Sequence, residues 1–235
     1  IGLVRESLRE RRTMENIAPN FVYPMPILFT ANKSSLKNSK FILGIGMMLY
    51  DILSFDKKRT WDASKKIPSH RSLSADEVMA LEPNVRKSDL AGAVVYYDCV
   101  SICPERLTLA FIKSALKYGA VAANYAKVEG FVFNEQGRVG GVKVRDLVRN
   151  KLHEVRAEYV INCGGPWADI VLGYARKATD GERLRRSEGI HLITRKLVNS
   201  HIVGSATKDG RHYFIIPWRG RSLIGTTDKE FIGNP

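Results

Sequence analysis

The chain has 235 residues, 44% of them hydrophobic, enough to bury the core of one large or two small globular domains and too apolar for extended disorder. Its net charge of +13 and pI near 9.7 call for an anionic counterpart: nucleic acid, anionic lipid, or a phosphorylated substrate and cofactor. Nucleic acid is the weakest of the three. The basic residues are spread along the chain, with concentrations at Arg5, Arg9, Arg11 and Arg12, at Lys57, Lys58 and Arg59, and at Arg183, Arg185 and Arg186, and they form neither a dense stripe nor a nucleic-acid fold signature.

In chain order, residues 3 to 18 are rich in helix formers and stop before Pro19, which predicts one charged helix with a narrow apolar face at Val4 and Leu8. Asn20 to Ser39, with Pro24, Pro26 and a polar cluster at Asn32 to Asn38, predicts an extended connection. A helix rich in Met and Leu is expected over Ile45 to Phe55. The apolar stretch around it, Phe41 to Leu53, is broken by Gly44, Gly46 and Asp51 and falls short of the roughly 20 residues a membrane span needs. Ser74-Ala75-Asp76-Glu77 places a serine cap before a short helix closed by Pro83.

Leu90 to Tyr97 then reads as a strand, and Pro104 opens a helix that ends at Gly119. Short strands follow at Val121 to Asn124, Val128 to Phe133, Val139 to Arg145 and Glu154 to Asn162. Gly164-Gly165-Pro166 ends the last of these and starts a helix over Trp167 to Tyr174. Further strands are expected at Ile190 to Thr194, His212 to Pro217 and Ser222 to Gly225. The first residues lack an initiator methionine and the order of a secretion signal, so the chain is expected to begin within an element. Its three cysteines, Cys99, Cys103 and Cys163, lack a zinc-ligand spacing and are expected to be reduced, small apolar fillers, with no metal site.

Three features could carry chemistry. Tyr159 to Trp167 runs from an apolar stretch through paired glycines into a helix, where exposed backbone N–H groups suit a dinucleotide pyrophosphate, although such a turn also serves as a plain tight connection. His191 lies between Ile190 and Leu192; it is either a packed strand residue or a base able to take a proton from an alcohol during hydride transfer. Two apolar strands, His212 to Pro217 and Ser222 to Gly225, are joined by the basic turn Trp218-Arg219-Gly220-Arg221. Its arginines are either solvated or placed to meet a phosphate.

Taken in order, these segments resemble the FAD-dependent glycerol-3-phosphate dehydrogenases, a branch of the flavoprotein oxidoreductases that includes D-amino-acid oxidase. LVRESLRERR with APNFVYP, AGAVVYYD with PERLTLAFIKSALKYGAVAANYAKVEGF, NCGGPWAD, EGIHLI and FIIPWRGRSLIGTTD carry the likeness, and the last three are the most specific. The resemblance implies a mixed α/β fold: part of an FAD-binding Rossmann-like domain and part of a mostly antiparallel substrate domain. Residues 1–89 would form a helical connecting segment, 90–182 the FAD-binding portion and 183–235 the substrate portion.

The resemblance further implies FAD as cofactor and oxidation of glycerol 3-phosphate to dihydroxyacetone phosphate. Electrons would pass to a quinone, or to oxygen in a related oxidase. Ala126, Lys127 and Val128 would approach the adenine end of FAD, and Gly164, Gly165 and Trp167 its phosphate and ribose region. His191 would face flavin and substrate as base or polar anchor, with Trp218, Arg219 and Thr227 as substrate-site candidates. An anionic membrane surface is a further expected partner, at the inner face of a bacterial membrane or the mitochondrial inner membrane, with the cytoplasm as the other location.

The G-x-G-x-x-G turn of that family is absent from the chain, Gly164 stands where threonine is usual, and the Cys99 to Glu105 loop is one residue longer. The chain is therefore expected to be an internal portion of the enzyme, inactive alone. A basic binding module without redox chemistry is the reading from a different class.

Overall fold

Helix formers fold Gly2–Ile17 into α1 in the computed structural model, which describes residues 1–36, 38–175, 184–207 and 211–235. The buried ammonium of Lys65 secures the chain just beyond its C-terminus, donating to the carbonyls of Pro19 and Val22, the latter at 3.0 Å. The stretch read as an extended connection is a long strand, β1 (Val22–Asn32), despite Pro24 and Pro26. β1 pairs antiparallel with β3 (Leu90–Ser101) over its whole length. Its second neighbour, β9 (Ile202–Ala206), joins only at Ile27–Phe29, past both prolines. The prolines therefore lie where the strand is paired on one side only.

Helix α2 (Lys40–Leu53) begins five residues earlier than expected because Ser39 caps it, accepting from the Ile42 N–H at 3.4 Å. After β2 (Arg71–Leu73), the Ser74 motif forms a full capping box on α3 (Ala75–Leu81): Glu77 N–H donates to Ser74 Oγ, and Ser74 N–H to the Glu77 carboxylate. Helix α4 (Pro104–Lys117) follows as expected from Pro104. Strands β4 (Ala126–Phe133), β5 (Val139–Asp146) and β6 (Lys151–Arg156) form an antiparallel meander.

Two expected strands are corrected here. Val121 to Asn124 has no regular structure, and Val121 is 96% exposed. The strand read as Glu154 to Asn162 ends at Arg156, where the ladder to β5 ends. An apolar run becomes a strand only where a neighbour satisfies its backbone, and among the described residues none does so for Tyr159–Asn162. A short 3-10 turn, Gly165–Trp167, leads into α5 (Ala168–Gly173). The remaining strands are β7 (Arg186–Glu188), β8 (Leu192–Thr194), β10 (His212–Trp218), β11 (Arg221–Gly225) and β12 (Lys229–Phe231). Sequence periodicity missed β2, β7, β9 and β12, which are short.

The chain is mixed α/β, and β1 with β9 is the one parallel pair among the described strands. It divides into two units. The first, the sheet unit, comprises Ile1–Lys113 and Ile190–Thr227 and holds a seven-stranded sheet of order β2-β3-β1-β9-β10-β11-β8. Leu28, Leu73, Val78, Leu90, Ala93 and Val95 form its core where α3 covers one face. The second, the meander unit, comprises Ser114–Gly189 and Asp228–Pro235 and holds the meander, α5 and the β7–β12 pair. These limits differ from the boundaries at 90 and 183 read from the sequence. β3 begins at Leu90 and is bonded along β1, and β8, β10 and β11 continue that same sheet.

Candidate functional site

In the sheet unit, β8 is an edge strand paired to β11, with Leu192 opposite Ile224. His191 comes one residue before β8 and is exposed. Its ring lies over Gly225: a Cβ built there would stand 2.6 Å from His191 Cδ2 and 3.0 Å from the Ile190 carbonyl oxygen. Any larger residue at 225 would push the ring away. The Ile190 N–H donates to Thr227 Oγ1 at 3.0 Å, and the Thr227 N–H to the Ile190 carbonyl at 3.4 Å. The structure thus brings His191 and Thr227 together on a braced backbone, with the imidazole open to solvent. An imidazole placed in this way has the geometry of a general base.

Trp218 and Arg219 lie elsewhere. Trp218 pairs with Arg221 at the turn of the β10–β11 hairpin, whereas Gly225 pairs with Phe214 at its other end. Four strand steps of about 3.3 Å put roughly 13 Å between the two ends. The Arg219 guanidinium stacks over the Trp218 ring at 4.8 Å and donates to Cys103 Sγ at 3.2 Å. The hairpin therefore separates these two substrate-site candidates from His191.

The cofactor candidates all fall in the meander unit. Ala126, Lys127 and Val128 open β4 opposite Asp146, Arg145 and Val144, with Ala126 and Lys127 exposed. At the turn, Asn162 accepts from the Gly164 N–H at 3.0 Å and donates to the Ala168 carbonyl at 2.9 Å, which fixes its shape. Arg186, read from sequence only as part of a basic cluster, is buried; its Nε donates to the Pro166 carbonyl at 2.7 Å. Arg185 pairs with Glu230 at 2.9 Å, and Arg183 lies outside the described residues. Gly165 has φ +53 with open space where a Cβ would stand, and Trp167 is about half exposed, its Nε1 donating to the Pro235 carbonyl. α5 contacts β4, so the two groups of candidates are neighbours within this unit.

Sequence reasoning missed three features of the sheet unit. Glu82, 1% exposed, accepts from the N–H groups of Asn199, Ser200 and His201 at 2.6, 3.0 and 3.0 Å, tying the segment before β9 to α3. Beside it opens a cavity of about 1550 Å³ lined by Thr30, Asn32, Arg86, Asp89 and Tyr213 among others, and by none of the candidate site residues. Glu15 is fully enclosed beside Cys99, and burial pushes its carboxyl above the usual range. Burial likewise pushes the Cys99 thiol up, while Cys163 is exposed and fills no core. A lone glutamate on a helix gives no sequence signal of its burial.

Comparison with known proteins decides the family. The FAD dependent oxidoreductase family matches across residues 1–235. The chain belongs to that family. It is 33% identical over 239 residues to an alpha-glycerophosphate oxidase of Streptococcus pneumoniae, covering 100% of this chain and 38% of that protein. It is 34% identical to a glycerol-3-phosphate dehydrogenase of Synechocystis, covering 99% and 42%. Among solved structures, the glycerol-3-phosphate dehydrogenase of Bacillus halodurans complexed with FAD superposes with TM-score 0.74 at 27% identity, over 97% of this chain and 39% of that one. The chain thus spans about two fifths of the length of such relatives.

Within the family, the Gly164–Trp167 turn fits a dinucleotide. Gly165 leaves open space, and the Asn162 and Pro166 bonds hold the backbone in place beforehand.

Proposed function

We propose that the enzyme to which this chain belongs oxidises sn-glycerol 3-phosphate at its C2 hydroxyl to dihydroxyacetone phosphate, with FAD as cofactor. The observation that carries this reading is the match of essentially the whole chain to proteins named for this substrate, both an oxidase and a dehydrogenase. FAD supplies the acceptor for the hydride. In this chain, Ala126–Val128 and Gly164, Gly165 and Trp167 would hold it in the meander unit.

An imidazole nitrogen of His191 takes the C2 hydroxyl proton, and the Thr227–Ile190 bonds and Gly225 keep the ring in position for that task. Arg219 sits too far along the hairpin from His191 to bind the reacting end of so small a substrate, so its part is to order the turn through Trp218 and Cys103. The electron acceptor we propose is a quinone. Oxygen is the second reading, favoured by the oxidase names among the relatives.

The test is anaerobic mixing of the FAD-loaded full-length protein with glycerol 3-phosphate, following loss of oxidised flavin absorbance. Rapid bleaching is expected, slowed about 100-fold or more in His191→Asn. Flavin that stays oxidised would overturn the substrate assignment while leaving the family intact. In air, stoichiometric hydrogen peroxide release would replace quinone by oxygen as acceptor.

A further inference from the structure

The face of the sheet that bears His191 also bears Phe29, Gly204, Phe214 and Gly225. Strand pairing sets these four side by side in one row across β1, β9, β10 and β11: Phe29 beside Gly204, Gly204 opposite Phe214, and Phe214 opposite Gly225. Leu28, next to Phe29 in β1, points to the other face, where α3 closes the core. Rings and glycines therefore alternate along the row, and each glycine is covered by a ring. A Cβ built on Gly204 would stand 2.6 Å from Phe29 Cδ2 and 3.0 Å from Phe214 Cε1, as one on Gly225 would meet His191 Cδ2 at 2.6 Å. His212, two residues before Phe214, packs its ring on Phe29 with 5.3 Å between centroids.

A strand side chain ordinarily stands roughly perpendicular to its sheet. Here the missing side chains at 204 and 225 let three rings lean onto the backbone: Phe29 and Phe214 over Gly204, and His191 over Gly225. Gly204 is buried under its two rings, whereas Phe29 and Phe214 are half-buried and keep part of their surface open on this face. β8 and β10 flank β11, at about 4.8 Å each, so the backbones on either side of Gly225 are roughly 10 Å apart. That leaves room for a short carbon chain between the imidazole and the Phe214 ring. The next pair along this face, Ile216 with Leu223, is apolar as well. A wall of this kind suits carbon and gives a phosphate no hydrogen-bond donor.

We infer that Phe214, bedded over Gly204, is a positioning residue for the reaction at His191: its ring is the apolar wall that keeps the carbon chain of the substrate beside the imidazole, and Gly204 sets how low that wall lies. This role rests on the proposed oxidation of glycerol 3-phosphate at His191.

Anaerobic mixing of the FAD-loaded full-length protein with a series of glycerol 3-phosphate concentrations gives the half-saturating concentration and the limiting bleaching rate separately. Gly204→Ala pushes the rings into the space the substrate uses, and should raise the first about tenfold or more while changing the second less. Phe29→Val added to Gly204→Ala removes the closer ring and should bring the half-saturating concentration back to within about threefold of wild type. Phe214→Tyr, which keeps the ring, should match wild type, and Phe214→Ala should weaken saturation about as much as Gly204→Ala does. A second readout needs no substrate: diethyl pyrocarbonate should modify His191 more slowly in Gly204→Ala than in wild type, and at the wild-type rate in the double variant. A folded Gly204→Ala protein with wild-type saturation and wild-type His191 reactivity, a double variant no better than the single one, or Phe214→Ala equal to Phe214→Tyr would each overturn the inference. Bleaching absent from wild type too would overturn the substrate assignment instead, and the His191 reactivities would still decide whether Gly204 holds the wall away from the imidazole.

Discussion

The two units contain similar proportions of apolar residues and bury them very differently. Among the described residues, every buried hydrophobic side chain belongs to the sheet unit, from Leu8 in α1 to Val203 in β9. In the meander unit Val121, Tyr159 and Ile161 are 96%, 85% and 84% exposed, and α5 has no buried residue. The sheet unit closes its core with long-range pairing, β1 along β3 and α3 over Leu28 and Val95. The meander itself rests on local ladders between consecutive strands. An open ladder holds its register by backbone bonds but gains little from burial. The unit with the catalytic candidate His191 and the substrate-site candidate Thr227 thus has a buried core of its own. The unit with the cofactor candidates is shaped by turns.

The sharpest way to break this contrast is to remove core volume. Leu28→Ala, at a side chain with no exposure, should lower unfolding stability by about 3 to 5 kcal/mol in urea titration followed by tryptophan fluorescence. A loss under 1 kcal/mol would mean that the core at α3 is not what holds the sheet unit. Glu82→Gln comes next, at roughly 2 kcal/mol. The amide oxygen cannot serve all three N–H groups of residues 199–201, and one or more buried donors go unpaired. The same titration checks it, and an unchanged midpoint would show the segment before β9 to be held otherwise.

A smaller effect separates two kinds of buried carboxyl in the sheet unit. Burial raises the folded-state pKa of Glu15 above its unfolded value of 4.5. The unfolded chain therefore loses this proton first as pH rises. Stability from Glu15 is full below its unfolded pKa and is lost as pH climbs through the folded one. Asp56 behaves oppositely: the Arg5 hydrogen bond holds its pKa down, so its contribution is present above 3.8 and is lost on acidification. Glu15→Gln should therefore gain on wild type as pH rises from about 4 to 7, read from urea midpoints at each pH. A pH-independent difference would show that Glu15 is ionised or solvated in the folded protein.

Much of the sheet unit was legible in sequence because its signals are local. The Ser74–Glu77 capping box, Pro104 at the start of α4 and the apolar runs of β10 and β11 each name an element from a few residues. β1 was not legible, since Pro24 and Pro26 argue against a strand unless its pairing is known, and only the fold shows that β9 arrives after them. The His191–Thr227 pairing was readable as two motifs but not as one site. Their junction depends on Gly225 meeting His191 across β8 and β11. Trp218 and Arg219 stand close to Thr227 in sequence and far from it along the hairpin, because a hairpin separates residues that lie at its turn from those at its open end.

The smallest expected effect bears on the strand that the sequence suggested and the chain does not form. Tyr159 is aromatic, lies in a run of β-formers and would be a core residue if that run paired. At 85% exposure it makes little contact, so Tyr159→Ser should shift stability by no more than about 0.5 kcal/mol. That is at most about a sixth of the Leu28→Ala effect, although tyrosine is the larger side chain. Urea titration of the two variants side by side measures the ratio directly. Comparable losses would mean that the run from Tyr159 to Asn162 is packed in solution and that the meander unit has a core of its own, which would erase the contrast between the units.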